Sequence, residues 1–209
     1  MRVGCSLWNV AGSSAGEHAR RLVDAGVDLF HWDRADGIFA PAGGFTAEEA
    51  AQISLETGTR AEAHLMLADP LSEVDQWCEF CDLIAVPVEV STHVDAIRRI
   101  EKLGRQAAVV ISPSTALANL SHVSGLATLV MSITPGMAGS SCHPDTFPRL
   151  TALSDRPLLG VDGGITADLL PKLKRAGAGW IAVGTALVNS GDPGAWLRIA
   201  EAIEPESSC

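Results

Sequence analysis

Short apolar runs alternate with amphipathic stretches from one end of this 209-residue chain to the other. Strand patterns fall over 2–7, 28–33, 60–66, 83–87, 106–111, 126–133, 157–162 and 180–183. Helical patterns fill 15–25, 46–57, 71–80, 92–103, 117–123, 145–153, 167–176 and 193–203. In the first of these, Ala19, Leu22 and Val23 share one face at spacings of three and four. Gly26, Gly104 and Gly177 stand where a helix closes on a left-handed residue. Thr46, Thr92 and Thr166 stand where N-caps do. Repeated strand–helix units in a chain of this length predict one (β/α)8 TIM barrel domain over 1–209, near the lower size limit of that fold. An open doubly wound sheet is the competitor. A dinucleotide-binding chain of that type puts Gly-x-Gly-x-x-Gly after its first strand, whereas this one has Cys5-Ser-Leu-Trp-Asn-Val-Ala. The tail 204–209 is expected to fray.

Composition narrows the function classes. The formal net charge is -10 and no basic cluster occurs, which argues against a nucleic-acid partner. An anionic small molecule stays compatible, because main-chain N–H groups bind phosphate without cationic side chains. No apolar run approaches the roughly 20 residues needed to cross a bilayer. The first residues read as a strand rather than a signal peptide, so a cytoplasmic location is expected. Cysteines at 5, 78, 81, 142 and 209 form no disulfide framework. Trp77-Cys78-Glu-Phe-Cys81 copies a redox motif only superficially: these cysteines fall at a helix C-terminal end, where no dipole lowers a thiol pKa. They read as partly buried thiols.

Chemistry concentrates at predicted strand ends. His31 and Asp33 are two residues apart, so both can face the barrel interior while Phe30 and Trp32 turn toward the helices. His64 ends the third strand, and Asp162 ends the seventh just before Gly163-Gly164. Alone, a histidine is more often a hydrogen-bonded core residue, and Asp-Gly a turn. Together, two imidazoles and two carboxylates on one barrel face suit a single divalent ion, Zn, Fe, Mn or Co. Such a set still leaves two groups able to exchange a proton, which points to carbon-acid chemistry on a sugar. The loops after the last three strands add an anion grip. Gly136-Met137-Ala138-Gly139, Gly163-Gly164 and Gly184-Thr185 each let main-chain N–H groups approach a phosphate.

These blocks resemble the ribulose-phosphate 3-epimerase family over nearly the whole chain. The matching stretches are Cys5-Ser6-Leu7, His31-x-Asp33-x-x-Asp36-Gly37-x-Phe39, His64-Leu65-Met66, Val130-Met131-Ser132-x-x-Pro135-Gly136, Val161-Asp162-Gly163-Gly164-Ile165 and Val183-Gly184-Thr185-Ala186. The resemblance implies an isomerase that epimerises a ketose phosphate, in the pentose phosphate pathway by default. It implies one metal on His31, Asp33, His64 and Asp162, with Asp33 and Asp162 as the acid/base pair. It also implies substrate contacts from Ser6, His64 and the three glycine-rich segments. Homo-oligomers are the commonest assembly, so a homo-oligomer is expected, with Met137 and Phe147 exposed as a lid or subunit contact.

Several positions depart from the family pattern. Arg34 and Ala35 replace a small apolar residue and a Met, widening the site beside the metal and adding a cation that either points outward or reaches a substrate anion. Pro87 replaces a common His. Competing readings are a sister epimerase on another ketose phosphate such as a hexulose 6-phosphate, a metal-dependent phosphosugar lyase or aldolase, and a non-catalytic sugar-phosphate-binding paralogue. A Schiff-base aldolase is disfavoured, since Lys102, Lys172 and Lys174 all fall in predicted helices.

Overall fold

A computed structural model describes residues 1–10 and 14–203, so the expectation for the 204–209 tail lies outside the described residues. Its main strands are β1 (Arg2–Ser6), β2 (Leu29–Ala35), β3 (Arg60–Met66), β4 (Leu83–Pro87), β5 (Gln106–Ile111), β6 (Ala127–Met131), β7 (Leu159–Asp162) and β8 (Trp180–Val183). Each pairs in parallel with the next, and β8 returns to β1 through Cys5↔Val183. The sheet therefore closes, as the alternation predicts. Helices α1 (Ala15–Asp24), α2 (Ala47–Thr57), α3 (Val74–Cys78), α4 (His93–Lys102), α5 (Thr146–Ala152), α6 (Leu170–Arg175), α7 (Thr185–Val188) and α8 (Pro193–Ala202) surround it.

Alternation along each strand separates two packing regions. Outward side chains such as Phe30 and Trp32 are fully buried against the helix layer. The Trp32 ring meets Phe45 edge-on at 4.8 Å, and its Nε1–H donates to Ser54 Oγ on α2 at 3.0 Å. Inside, one half of the barrel is apolar, built from Leu83, Ala85, Ala108, Val110, Leu129, Met131 and Trp180. The other half is polar, with His31, Glu62 and His64 fully buried.

Local departures have local causes. β2 runs two residues past its expected end because Arg34 and Ala35 keep pairing with Leu65 and Met66. They also pair antiparallel with a Gly43–Gly44 segment. The expected helix over 71–80 splits into a 3-10 turn, Pro70–Ser72, and the short α3. The stretch Leu117–Val123 is 3-10 throughout, and Ala167–Leu169 is 3-10 before α6. Thr46 caps α2 through a reciprocal bond with Glu49, while Thr92 and Thr166 make no side-chain cap. Gly26, Gly104 and Gly177 all carry positive φ.

Gly160, on β7, is small for a packing reason. A Cβ there would lie 2.4 Å from Trp180 Cε3 and 2.9 Å from Leu129 Cδ1, inside the apolar half. Overpacking of this kind costs about 1–3 kcal/mol. Gly160→Ala should therefore lower the midpoint of urea unfolding without changing the slope. An unchanged midpoint would show that the barrel interior is looser than this packing implies.

Candidate active site

Strand register assembles the site. Asp33 lies level with His64 across β2 and β3, and Ser6 lies level with His31 across β1 and β2. Residues level with each other on neighbouring strands project to the same face. Asp162, the last residue of β7, comes in from three strands away around the ring.

The result is a tight cluster. One ligand atom each from His31, Asp33, His64 and Asp162 lies within 4.8 Å of the others. His64 Nδ1 is 3.2 Å from Asp33 Oδ1 and 3.4 Å from Asp162 Oδ2. His31 Nε2 is 3.5 Å from Asp33 Oδ1 and 4.0 Å from Asp162 Oδ2. Most of these separations are long for hydrogen bonds. They resemble instead the ~3.4 Å between two ligands of one tetrahedral ion with bonds of ~2.1 Å. His31 Nε2 is also buried without a hydrogen-bond partner, although it faces both carboxylates. The donor set and its spacing fit a divalent ion.

The cluster is electrostatically tense on its own. Burial opposes a charged His31, but Asp33 and Glu62 outweigh it and hold its pKa well above the ordinary value. For His64, burial again works against charge, and hydrogen bonds to Asp162 and Asp33 raise its pKa. Burial pushes Asp33 up, yet the two imidazoles pull it far below the usual carboxylate range. Ser6 Oγ–H donates to Asp33 Oδ2 at 2.7 Å, fixing that carboxylate from the β1 side. Ser132 holds the backbone at Asp162 rather than its carboxylate: its N–H donates to the Asp162 carbonyl at 2.8 Å, and its hydroxyl donates to the Gly163 carbonyl.

Above the cluster opens a cavity of about 520 Å³. Ser6, Asp33, Asp162, Gly136, Ala138, Gly139, Gly163, Gly164, Gly184 and Thr185 line it, so these sequence-selected residues come together. Gly164 has φ +59°, and a Cβ there would lie 2.3 Å from Cys142 N, so the loops after β6 and β7 interlock only around glycine. Three selected residues, His31, His64 and Met137, do not reach the cavity wall, and His31 is fully buried. His64 is fully buried beneath the floor, and Met137 is 53 % exposed at the tip of its loop. Phe147, expected to be exposed, is instead partly buried: it packs on the core, with Lys172 Nζ 3.7 Å above its ring. Arg34 points outward, grips Glu73 through two 3.2 Å bonds and does not line the cavity. Ala35 is fully buried in an apolar cluster with Ala40, Met66, Trp8 and Phe39 and does not itself line the cavity. Pro87 is buried at the end of β4. Cys78 and Cys81 are free and buried, and burial pushes the Cys78 thiol up to about 11.

Sequence reasoning missed Glu62, whose carboxylate accepts from His31, Arg2 and Trp180. Its signal was its spacing, two residues before His64 and so on the same face of β3. Trp8 and Asn9 also line the cavity and carry no motif that marks them.

A model of the ribulose-phosphate 3 epimerase family matches residues 2–188. The chain belongs to this family. Ribulose-phosphate 3-epimerase from Synechocystis sp. is 30% identical over 204 residues, covering 90% of this chain and 87% of its own. The Aquifex aeolicus protein of the same name is 28% identical, covering 88% and 87%. The isomerase class expected from the motifs is therefore that of the family. Among solved structures, 3-hexulose-6-phosphate synthase from Salmonella typhimurium superposes with a TM-score of 0.74 at 18% identity, over 97% of this chain and 98% of that one. Orotidine 5'-phosphate decarboxylase from Pyrococcus horikoshii does so at 0.66 and 16%, over 95% and 98%. Both share the fold. No helix among the described residues is long and apolar enough to cross a membrane.

The raised histidine pKa values set a pH dependence. Without metal, the extra proton affinity of His31 and His64 stabilises the fold fully below pH ~6.5 and is lost as pH rises through the higher folded values. Metal needs unprotonated imidazole nitrogen, so stabilisation by Zn or Co should instead grow with pH. Melting scans from about pH 6 to 9, with chelator and with Co, should give opposite slopes for this contribution. Parallel profiles would contradict it.

Proposed function

We propose that this chain is a metal-dependent epimerase that inverts C3 of a ketose phosphate, with D-ribulose 5-phosphate and D-xylulose 5-phosphate as its pair. The observation that carries this reading is the placing of Asp33 and Asp162. They stand three strands apart around the barrel, yet both join the ligand cluster and both line the cavity, while the histidines lie beneath. Inverting a carbon next to a ketone requires one group to remove a proton from one face and another to return one to the opposite face.

His31, Asp33, His64 and Asp162 would hold the divalent ion, which when bound polarises the substrate's oxygens and steadies the charge left by proton removal. The remaining work belongs to the side chains. Ser6 orients Asp33 through Oδ2, so that this carboxylate meets C3 from the β2 side. Asp162, steadied at its backbone by Ser132, meets C3 from the β7 side. In the reverse direction the two exchange roles. Trp8, Met66, Met131 and Ile133 furnish the apolar part of the wall. Gly136, Ala138, Gly139, Gly163, Gly164, Gly184 and Thr185 would hold the phosphate through main-chain N–H groups and hydroxyls, since no Lys or Arg among the described residues lines the cavity.

Turnover in deuterium oxide should place deuterium at C3 with no loss of carbon. Asp33→Asn and Asp162→Asn should each lower kcat by about 10²–10⁴-fold while leaving circular dichroism unchanged. Chelation should remove activity, and one of Zn, Fe, Mn or Co should restore it. Cleavage of a carbon–carbon bond would move the reading to a lyase. Preference for a hexulose 6-phosphate in a substrate panel would move it to a sister epimerase, and near-normal turnover in either Asn variant would remove the two-carboxylate mechanism.

A further inference from the structure

We infer that Glu62 is the positioning residue that fixes which nitrogen of His31 faces the cluster, an inference that rests on the metal reading above. Glu62 is fully buried. Its Oε1 accepts from His31 Nδ1 at 2.7 Å and from Trp180 Nε1–H at 2.7 Å. Its Oε2 takes Arg2 Nε–H at 2.9 Å and lies 2.6 Å from Arg2 Nη2. Gly4 on β1 completes the cradle, because a Cβ there would sit 2.5 Å from Glu62 Oε1. Groups on β1, β2 and β8 thus leave this carboxylate of β3 a single orientation, with an acceptor aimed at His31.

The consequence follows from the chemistry of imidazole. A neutral ring carries one N–H and one lone pair, and the partner of one nitrogen decides the role of the other. With Nδ1–H held on Glu62, the lone pair of His31 belongs to Nε2. That is the nitrogen facing Asp33 and Asp162, and it is buried with no other partner. Carboxylates that hold a ligating histidine in this way typically govern metal affinity by 10–100-fold. Arg2 makes the arrangement tenable, since an unpaired carboxylate at this depth would be strongly destabilising. The ring pocket, the acceptor and its counter-charge together do more than hold strands side by side, because closure already joins these strands through their backbones.

The test measures Co binding by visible absorption against a competing chelator, in the full chain. Glu62→Gln keeps the volume and loses the charge; Gly4→Ala keeps every charge and pushes the carboxylate off its seat. Both should bind Co about 10–100-fold more weakly than the unaltered protein while melting as folded proteins in chelator. Histidine ¹⁵N NMR of the unaltered protein loaded with Zn should show His31 bound through Nε2 and protonated at Nδ1, a readout that needs no variant to fold. Unchanged Co affinity in folded Glu62→Gln or Gly4→Ala, or His31 bound through Nδ1, would overturn the assignment alone. Failure of the unaltered protein to bind any of the metals would overturn the metal reading, and this inference with it.

Discussion

Charge buried inside a closed barrel has to be balanced where it sits, and that constraint organises this molecule. Asp33, Asp162 and Glu62 bring three carboxylates into one region that Arg2, alone among the permanent cations of the described residues, enters. Two negative charges are left over. Two imidazolium rings can neutralise them, which is why the pKa values of both His31 and His64 are raised. One divalent cation can neutralise them as well, and it would free both rings for coordination. The same four side chains therefore have two self-consistent states, distinguished by whether protons or a metal supply the positive charge.

Closure of the sheet is what makes that balance local. β1 pairs with both β2 and β8, so residues from opposite ends of the chain share one interior. The polar half of that interior is crowded with groups that need partners, and the apolar half is filled by Leu, Val, Met and Trp side chains that need none. This division places the reactive groups at the mouth with the cavity, above a packed floor. Loops after β6 and β7 then lock around Gly164, which fixes the cavity's far wall.

Much of this was readable from residue order alone. The alternation of strand and helix carries the barrel, and the two-residue spacing of His31 and Asp33 tells which face they take. Glu62 was passed over because an acidic residue inside a strand has no motif; only the partners at Arg2, Trp180 and Gly4 reveal why it is there. Arg34 shows the reverse case. Its position beside Asp33 left open a contact with substrate, but alternation turns it outward, where Glu73 waits on the next loop. Ala35 suggests a wider site by its size, yet it sits in an apolar cluster with Trp8 and Met66, which come from elements distant in sequence. Over 71–80 and 117–123 the apolar spacing suits a 3-10 turn as well as an α-helix, so spacing alone did not separate the two.

The cavity wall, which carries no Lys or Arg among the described residues, has a kinetic corollary. A chain of net charge -10 repels an anion at long range, and no cationic side chain among those lining the cavity draws it in. Dissolved salt screens such repulsion over about 10 Å at 0.1 M. Capture of a phosphorylated molecule would then quicken as ionic strength rises, the opposite of the behaviour of sites that steer their ligands with lysine and arginine.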